Sequence, residues 1–155
     1  MSPTAERPYI AHPEYGVPAD TENLLPWSWV QERFETEQNY WVCTSSPDGA
    51  PHARPVWGVF VDDAICFGGG PMTRWSRRLA ANPRVTVHLE SGSRVVIAEG
   101  TVERITEADD PRLSAVDDAY ERKYNMRHGP PIWMLRPRVV FAWSDFPKDM
   151  TRFHP

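Results

Sequence analysis

Two spacings of apolar residues alternate along this chain, and each change of spacing marks an element. Trp27, Val30 and Phe34 recur at helical intervals, with Gln31, Glu32, Glu35 and Glu37 facing outward, so a helix is predicted from about Pro26 to Glu37. Pro26 suits its first turn. The period then falls to two. Residues 40–44 read as a strand, Pro47-Asp48-Gly49 as a turn, residues 52–61 as a second strand and residues 64–67 as a third. Pro55 limits where the second strand can pair. Val85, Val87 and Leu89 alternate with Thr86, His88 and Glu90 in a fourth strand. Residues 95–105 form a fifth, with Gly100 as its bulge or kink. Leu113, Val116 and Tyr120 define a helix over about 109–123, capped by Asp109 or Asp110 with Pro111 in its first turn. Residues 125–138 read as loop, 139–143 as the last strand, and the rest as a polar tail. With a further helix over about 73–82, the sum is six antiparallel strands and three helices. That pattern predicts a mainly β protein built on a small barrel.

Pro3, Pro8, Pro13 and Pro18 recur every five residues, so residues 1–22 are expected to form an extended arm and residues 23–155 a single domain. The chain has 155 residues, enough to bury a real core. Its net charge of -4 argues against a nucleic-acid surface. No apolar run approaches a membrane span, and the first residues lack the apolar core of a signal peptide, so a cytoplasmic protein with no membrane partner is expected. Cys43 and Cys66 sit in apolar runs without CxxC spacing, which reads as reduced, buried thiols; a disulfide between neighbouring strands is the alternative. The histidines His12, His52, His88, His128 and His154 show no paired ligand spacing, and no metal site is expected.

The chemistry concentrates in Gly68-Gly69-Gly70 and the helix-like stretch that follows, which carries Arg74, Arg77 and Arg78 and stops at Asn82-Pro83. Glycines permit close backbone approach, a helix start offers free N–H groups, and guanidinium groups pair with phosphate or carboxylate. A solvated strand–loop–helix connection is the plainer reading. Arg74 and Arg78 share one helix face; Trp75 and Leu79 share the adjacent one, which places Trp75 either beside a ligand or interface, or in the core.

The run from His52 to Phe60, the segment from Thr73 to Val85, and the later Val87-His88-Leu89-Glu90-Ser91-Gly92 and Glu99-Gly100 together resemble the pyridoxamine-phosphate-oxidase-like flavin-binding split barrels. The flavin/deazaflavin oxidoreductases are the most similar branch, and the resemblance covers roughly residues 23–153. It implies a six-stranded antiparallel split β-barrel that forms a homodimer, with coenzyme F420 or FMN in a groove at the dimer interface. It also implies hydride transfer to a small organic substrate. A non-catalytic protein of the same fold that binds flavin, deazaflavin or haem is the alternative.

Carried over by position, the resemblance puts Arg54, Pro55, Val56, Trp57 and Gly58 beside the ring. Gly69, Thr73, Arg74, Trp75, Arg77 and Arg78 fall at the phosphate. Trp75 departs from the family's usual lysine, and an indole N–H donates once but carries no charge. Because such a cofactor supplies the hydride chemistry, no acid–base residue is required. His52, which shares a strand face with Arg54, is the candidate proton donor. Trp133, Trp143, Arg152 and Phe153 fall in a segment that, by the same resemblance, lies near the groove.

Overall fold

The computed structural model describes residues 2–155. Its strands are β1 (Thr4–Glu6), β2 (Asn39–Ser45), β3 (Pro51–Val61), β4 (Ala64–Gly68), β5 (Arg84–His88), β6 (Val95–Ile105), β7 (Ile132–Trp143) and β8 (Thr151–His154). Its α-helices are α1 (Trp27–Thr36), α2 (Arg74–Ala81) and α3 (Pro111–Tyr124). The strands pair antiparallel in the order β1-β8-β7-β4-β3-β2-β5-β6. A further β6–β7 pairing closes six of them, β2 to β7, into a barrel. β8 and β1 extend beyond β7, so the N-terminal arm contributes a short strand paired with the C-terminal one.

Alternation along each strand divides the side chains between two cores. Inside the barrel lie Tyr40, Val42, Ile65, Phe67, Val85, Val87, Val96, Ala98, Leu135 and Val140, closed off by Trp27, Val30 and Phe34 of α1 and by Trp75 and Leu79 of α2. On the outer face, α3 lays Leu113, Val116, Ala119 and Tyr120 over Val59, Cys66, Ile105 and Met134. Asp110 caps α3 by accepting from the Arg112 N–H at 2.9 Å.

Two expectations are corrected. The segment 125–138 is not loop throughout: β7 begins at Ile132. Ile132-Trp133-Met134-Leu135 is buried on both faces because Trp133 and Leu135 join the barrel core while Ile132 and Met134 join the cluster under α3, and such a run shows no alternation. The polar tail contains β8, with Thr151 and Phe153 buried. The bulge expected at Gly100 is present as a register shift between Glu99 and Gly100, opposite Pro137, whose missing N–H the irregular ladder tolerates.

Candidate cofactor site

β3 pairs with β2 from Pro51 to Trp57, but with β4 only from Gly58 to Val61. One edge of residues 51–57 is therefore free of a strand partner, and this is the split in the barrel. The chain leaves β4 at Gly68, and α2 runs along the opening. Near its start Trp75 packs on Phe67 with ring centroids 6.0 Å apart. At its end Arg78 Nη1 donates to Ala50 O at 2.5 Å and Asn82 Nδ2 to Ser45 Oγ at 3.0 Å. Thr73 caps the helix: its hydroxyl accepts from the Ser76 N–H at 3.4 Å and donates to Gly70 O at 2.9 Å.

α2 is amphipathic across the split. Trp75, Ser76 and Leu79 turn inward, and Ser76 Oγ accepts from Trp133 Nε1 at 3.2 Å. Thr73, Arg74 and Arg77 are exposed, and Arg78 is half-buried. Of the two positions the sequence left open for Trp75, it takes the core: it is 5% exposed, and a β-carbon on Gly69 would stand 2.1 Å from its ring. The indole fills the space above that glycine.

On β3, Arg54 and Pro55 are exposed, while Val56 is half-buried against the barrel core. The side chains of Arg54, Arg74 and Arg77 make no hydrogen bond or ion pair among the described residues, so three guanidinium groups flank the split uncommitted. Those groups and the free backbone edge suit an anionic ligand with a planar part. Gly58 is buried: a β-carbon there would meet the Tyr40 ring at 2.4 Å. Its C=O accepts from Lys123 Nζ at 2.9 Å and Tyr124 Oη at 2.8 Å, and its N–H donates to Tyr124 Oη at 3.0 Å. Gly58 therefore has its backbone polar groups occupied from α3. His52 is half-buried opposite Thr44, with Nδ1 buried and unpartnered; Thr44 Oγ1 is unpartnered as well.

Sequence reasoning missed the α3 side of this region. Trp57, 47% exposed, stacks on Tyr124 with centroids 4.6 Å apart and planes 5° apart. Lys123 Nζ also donates to Phe34 O at 2.9 Å and Tyr40 Oη at 3.1 Å; burial without a contacting carboxylate lowers its pKa to about 8. Burial raises Tyr124 above its ordinary value. The signal was present in Tyr120, Lys123 and Tyr124, which share one face at i, i+3 and i+4. A cavity of about 810 Å³ lies elsewhere, on the outer face of β2, β5, β6 and β7 beside Cys43, Arg84, Glu99 and Arg138.

A family model described as pyridoxamine 5'-phosphate oxidase matches residues 29–144. The chain belongs to that family. No curated protein matches it. Among solved structures, a conserved hypothetical protein of Mycobacterium tuberculosis superposes with a TM-score of 0.65 at 19% identity, covering 80% of this chain and 88% of that one. A structure described as an F420 reductase gives 0.56 at 21%, covering 71% and 94%. A haem-binding protein of Mycobacterium smegmatis gives 0.67 at 19%, covering 84% and 59%. At these identities the likeness establishes the split-barrel fold of the pyridoxamine 5'-phosphate oxidase family, and nothing finer.

Proposed function

We propose that this member of the family binds a phosphate-bearing flavin or deazaflavin, FMN or F420, along the split and uses it for hydride transfer to a small organic substrate. The observation that carries the reading is the set of uncommitted, exposed guanidinium groups of Arg54, Arg74 and Arg77 on either side of the free β3 edge. Thr73 and Arg74 would meet the anionic tail at the start of α2, with Arg77 and Arg78 adding charge, while Arg54 to Trp57 lie along the ring. Gly69 supplies a slim backbone above Trp75. The bound cofactor supplies the hydride chemistry; the protein's residues orient it and exclude water. His52 remains the candidate proton donor on the same strand.

The reading includes a homodimer. Cross-strand register aligns Pro55, Trp41, His88, Ile97 and Phe141 in one continuous outer-face row that leads away from the split. Trp41, His88, Ile97 and Phe141 are half-buried in the single chain, and a second copy seated on the row would wall the groove. The deciding experiment is spectral titration with FMN and with F420. Saturable quenching at micromolar concentration is expected with one of them, and its absence with both sinks the reading. A non-catalytic carrier would use the same residues; binding without turnover across a panel of acceptors would select it. Haem binding predicts instead a Soret band that weakens on substitution of His52 or His88.

A further inference from the structure

His128 stands over Gly68, the residue at which the chain leaves β4 and the split opens. A β-carbon on Gly68 would lie 2.0 Å from both Cε1 and Nε2 of the imidazole, so only glycine lets the ring settle there. Gly68 shares the outer face with Ala64 and Cys66, and Trp57 lies on that face of β3. The rings are contiguous. His128 tilts on Tyr120 with centroids 5.1 Å apart, Tyr120 meets Tyr124 at 5.5 Å, and Tyr124 stacks on Trp57 at 4.6 Å. Tyr120 Oη donates to Trp57 O at 3.1 Å, which ties the wall to the strand.

The imidazole is held by its neighbours. The backbone N–H groups of His128 and Gly129 donate to Asp117 Oδ1 at 3.1 and 2.8 Å, and Nδ1 lies 2.9 Å from Gly129 O. With Nδ1–H committed to that carbonyl, neutral His128 carries its free lone pair on Nε2; protonated, it presents an N–H there. Nε2 makes no hydrogen bond among the described residues, and the side chain is half-buried, not sealed. A fixed imidazole with one uncommitted nitrogen, ending a wall whose other end is a half-exposed indole, has the layout of a site for a flat heteroaromatic ring. The indole offers a stacking face, and the imidazole offers one hydrogen bond to a polar ring edge.

We infer that Trp57 and His128 form a ring-binding wall at the mouth of the split, with His128 Nε2 hydrogen-bonded to the polar edge of a planar heteroaromatic ligand. This rests on the reading of the split as a cofactor groove, and adds a residue that nothing in the motif segments marks.

The test is ring affinity measured separately from phosphate affinity. Fluorescence titrations would use FMN, F420 and lumichrome, the last a ring without a phosphate. His128→Phe keeps a flat ring on Gly68 and Tyr120 but removes Nε2, and His128→Gln restores a hydrogen-bonding group. Expected are a roughly tenfold weaker Kd for lumichrome and FMN in His128→Phe and in Trp57→Ala, and recovery towards wild type in His128→Gln. The inhibition constant of inorganic pyrophosphate against FMN should be the same in wild type and variants. Wild-type lumichrome affinity in His128→Phe, with a wild-type melting temperature, overturns the inference and leaves the cofactor reading intact. FMN binding without any lumichrome binding does the same. Failure of the wild-type protein to bind FMN, F420 and lumichrome overturns both.

Discussion

Trp75 occupies the space a side chain on Gly69 would need: the missing β-carbon would lie 2.1 Å from Cζ2 and 2.5 Å from Cη2 of the indole. The two residues are therefore one packing unit between the glycine loop and α2. Gly69→Ala must displace a large ring that is itself wedged on Phe67, and is expected to cost about 1–3 kcal/mol. Trp75→Lys installs the cation that the family's pattern leads one to expect, but places it in the barrel core. Loss of the aromatic packing alone predicts about 3–5 kcal/mol of destabilisation. Urea melts of both variants would check this. A stable Trp75→Lys protein with tighter phosphate binding would show that the position faces the groove after all.

The arginines of α2 should separate into two classes. Arg74 and Arg77 are exposed and uncommitted, so Arg74→Ala and Arg77→Ala are expected to leave the melting temperature unchanged and weaken FMN or F420 binding about tenfold each. Arg78 is different because it donates to Ala50 O at 2.5 Å and joins α2 to the β2–β3 turn. Arg78→Ala should weaken binding and lower the melting temperature together. Calorimetry on the three variants, with and without cofactor, separates a charge from an anchor.

The strands that alternate cleanly were legible from the sequence, because one face of each meets the core and the other meets solvent or α3. Val85, Val87 and Leu89 are the plain case. β7 was only half legible, since Ile132–Leu135 is covered on both faces and its apolar run carries no period. The segments proposed for a phosphate, Gly69 with Thr73 and Arg74, and for a ring, Arg54 to Gly58, could be singled out because each is short and local in the chain. The aromatic neighbours of Trp57 could not: Tyr124 and His128 come from α3 and the loop that follows it, and only the packing of α3 on the outer face brings them into one row with Trp57. The departure at position 75 was visible, but its consequence required knowing which face of α2 turns inward.

The proposed homodimer should be broken by a charge in the outer-face row. Ile97 is half-buried between His88 and Phe141 in register, and Ile97→Asp places a carboxylate where two apolar faces would meet. Sedimentation velocity is expected to show a dimer for the wild-type chain, a monomer for the variant, and weaker cofactor binding wherever the monomer forms. A wild-type chain that sediments as a monomer at high micromolar concentration would remove the dimer from the reading.

The two thiols should differ in reactivity. Cys66 is fully buried, and burial pushes its pKa up to about 12; Cys43 is half-buried with its pKa raised by the same cause. Both are free. Thiol titration at pH 8 is expected to modify Cys43 slowly and Cys66 only after unfolding, with peptide mapping to assign each. Prompt native labelling of Cys66 would mean that α3 opens from the barrel readily.

Lys123 gives the fold an unusual pH dependence. Its pKa is about 8 in the folded chain against an ordinary value of 10.5, because burial disfavours the charged form more than Glu37 and Glu35 support it. Between those values the unfolded chain binds more protons than the folded one, so the contribution of Lys123 to stability rises with pH and is least favourable below pH 8. Cys66 acts in the opposite sense above about pH 9, where an unfolded thiol ionises and the buried one does not. The difference between wild type and Lys123→Met cancels that effect. Because the side chain is only half-buried, the expected gain of wild type over the variant from pH 7 to pH 10 is on the order of 1 kcal/mol. It would be read from urea melts at each pH. A difference that stays flat, or falls, would mean that the two carbonyls and the Tyr40 hydroxyl hold the ammonium form as firmly as water does.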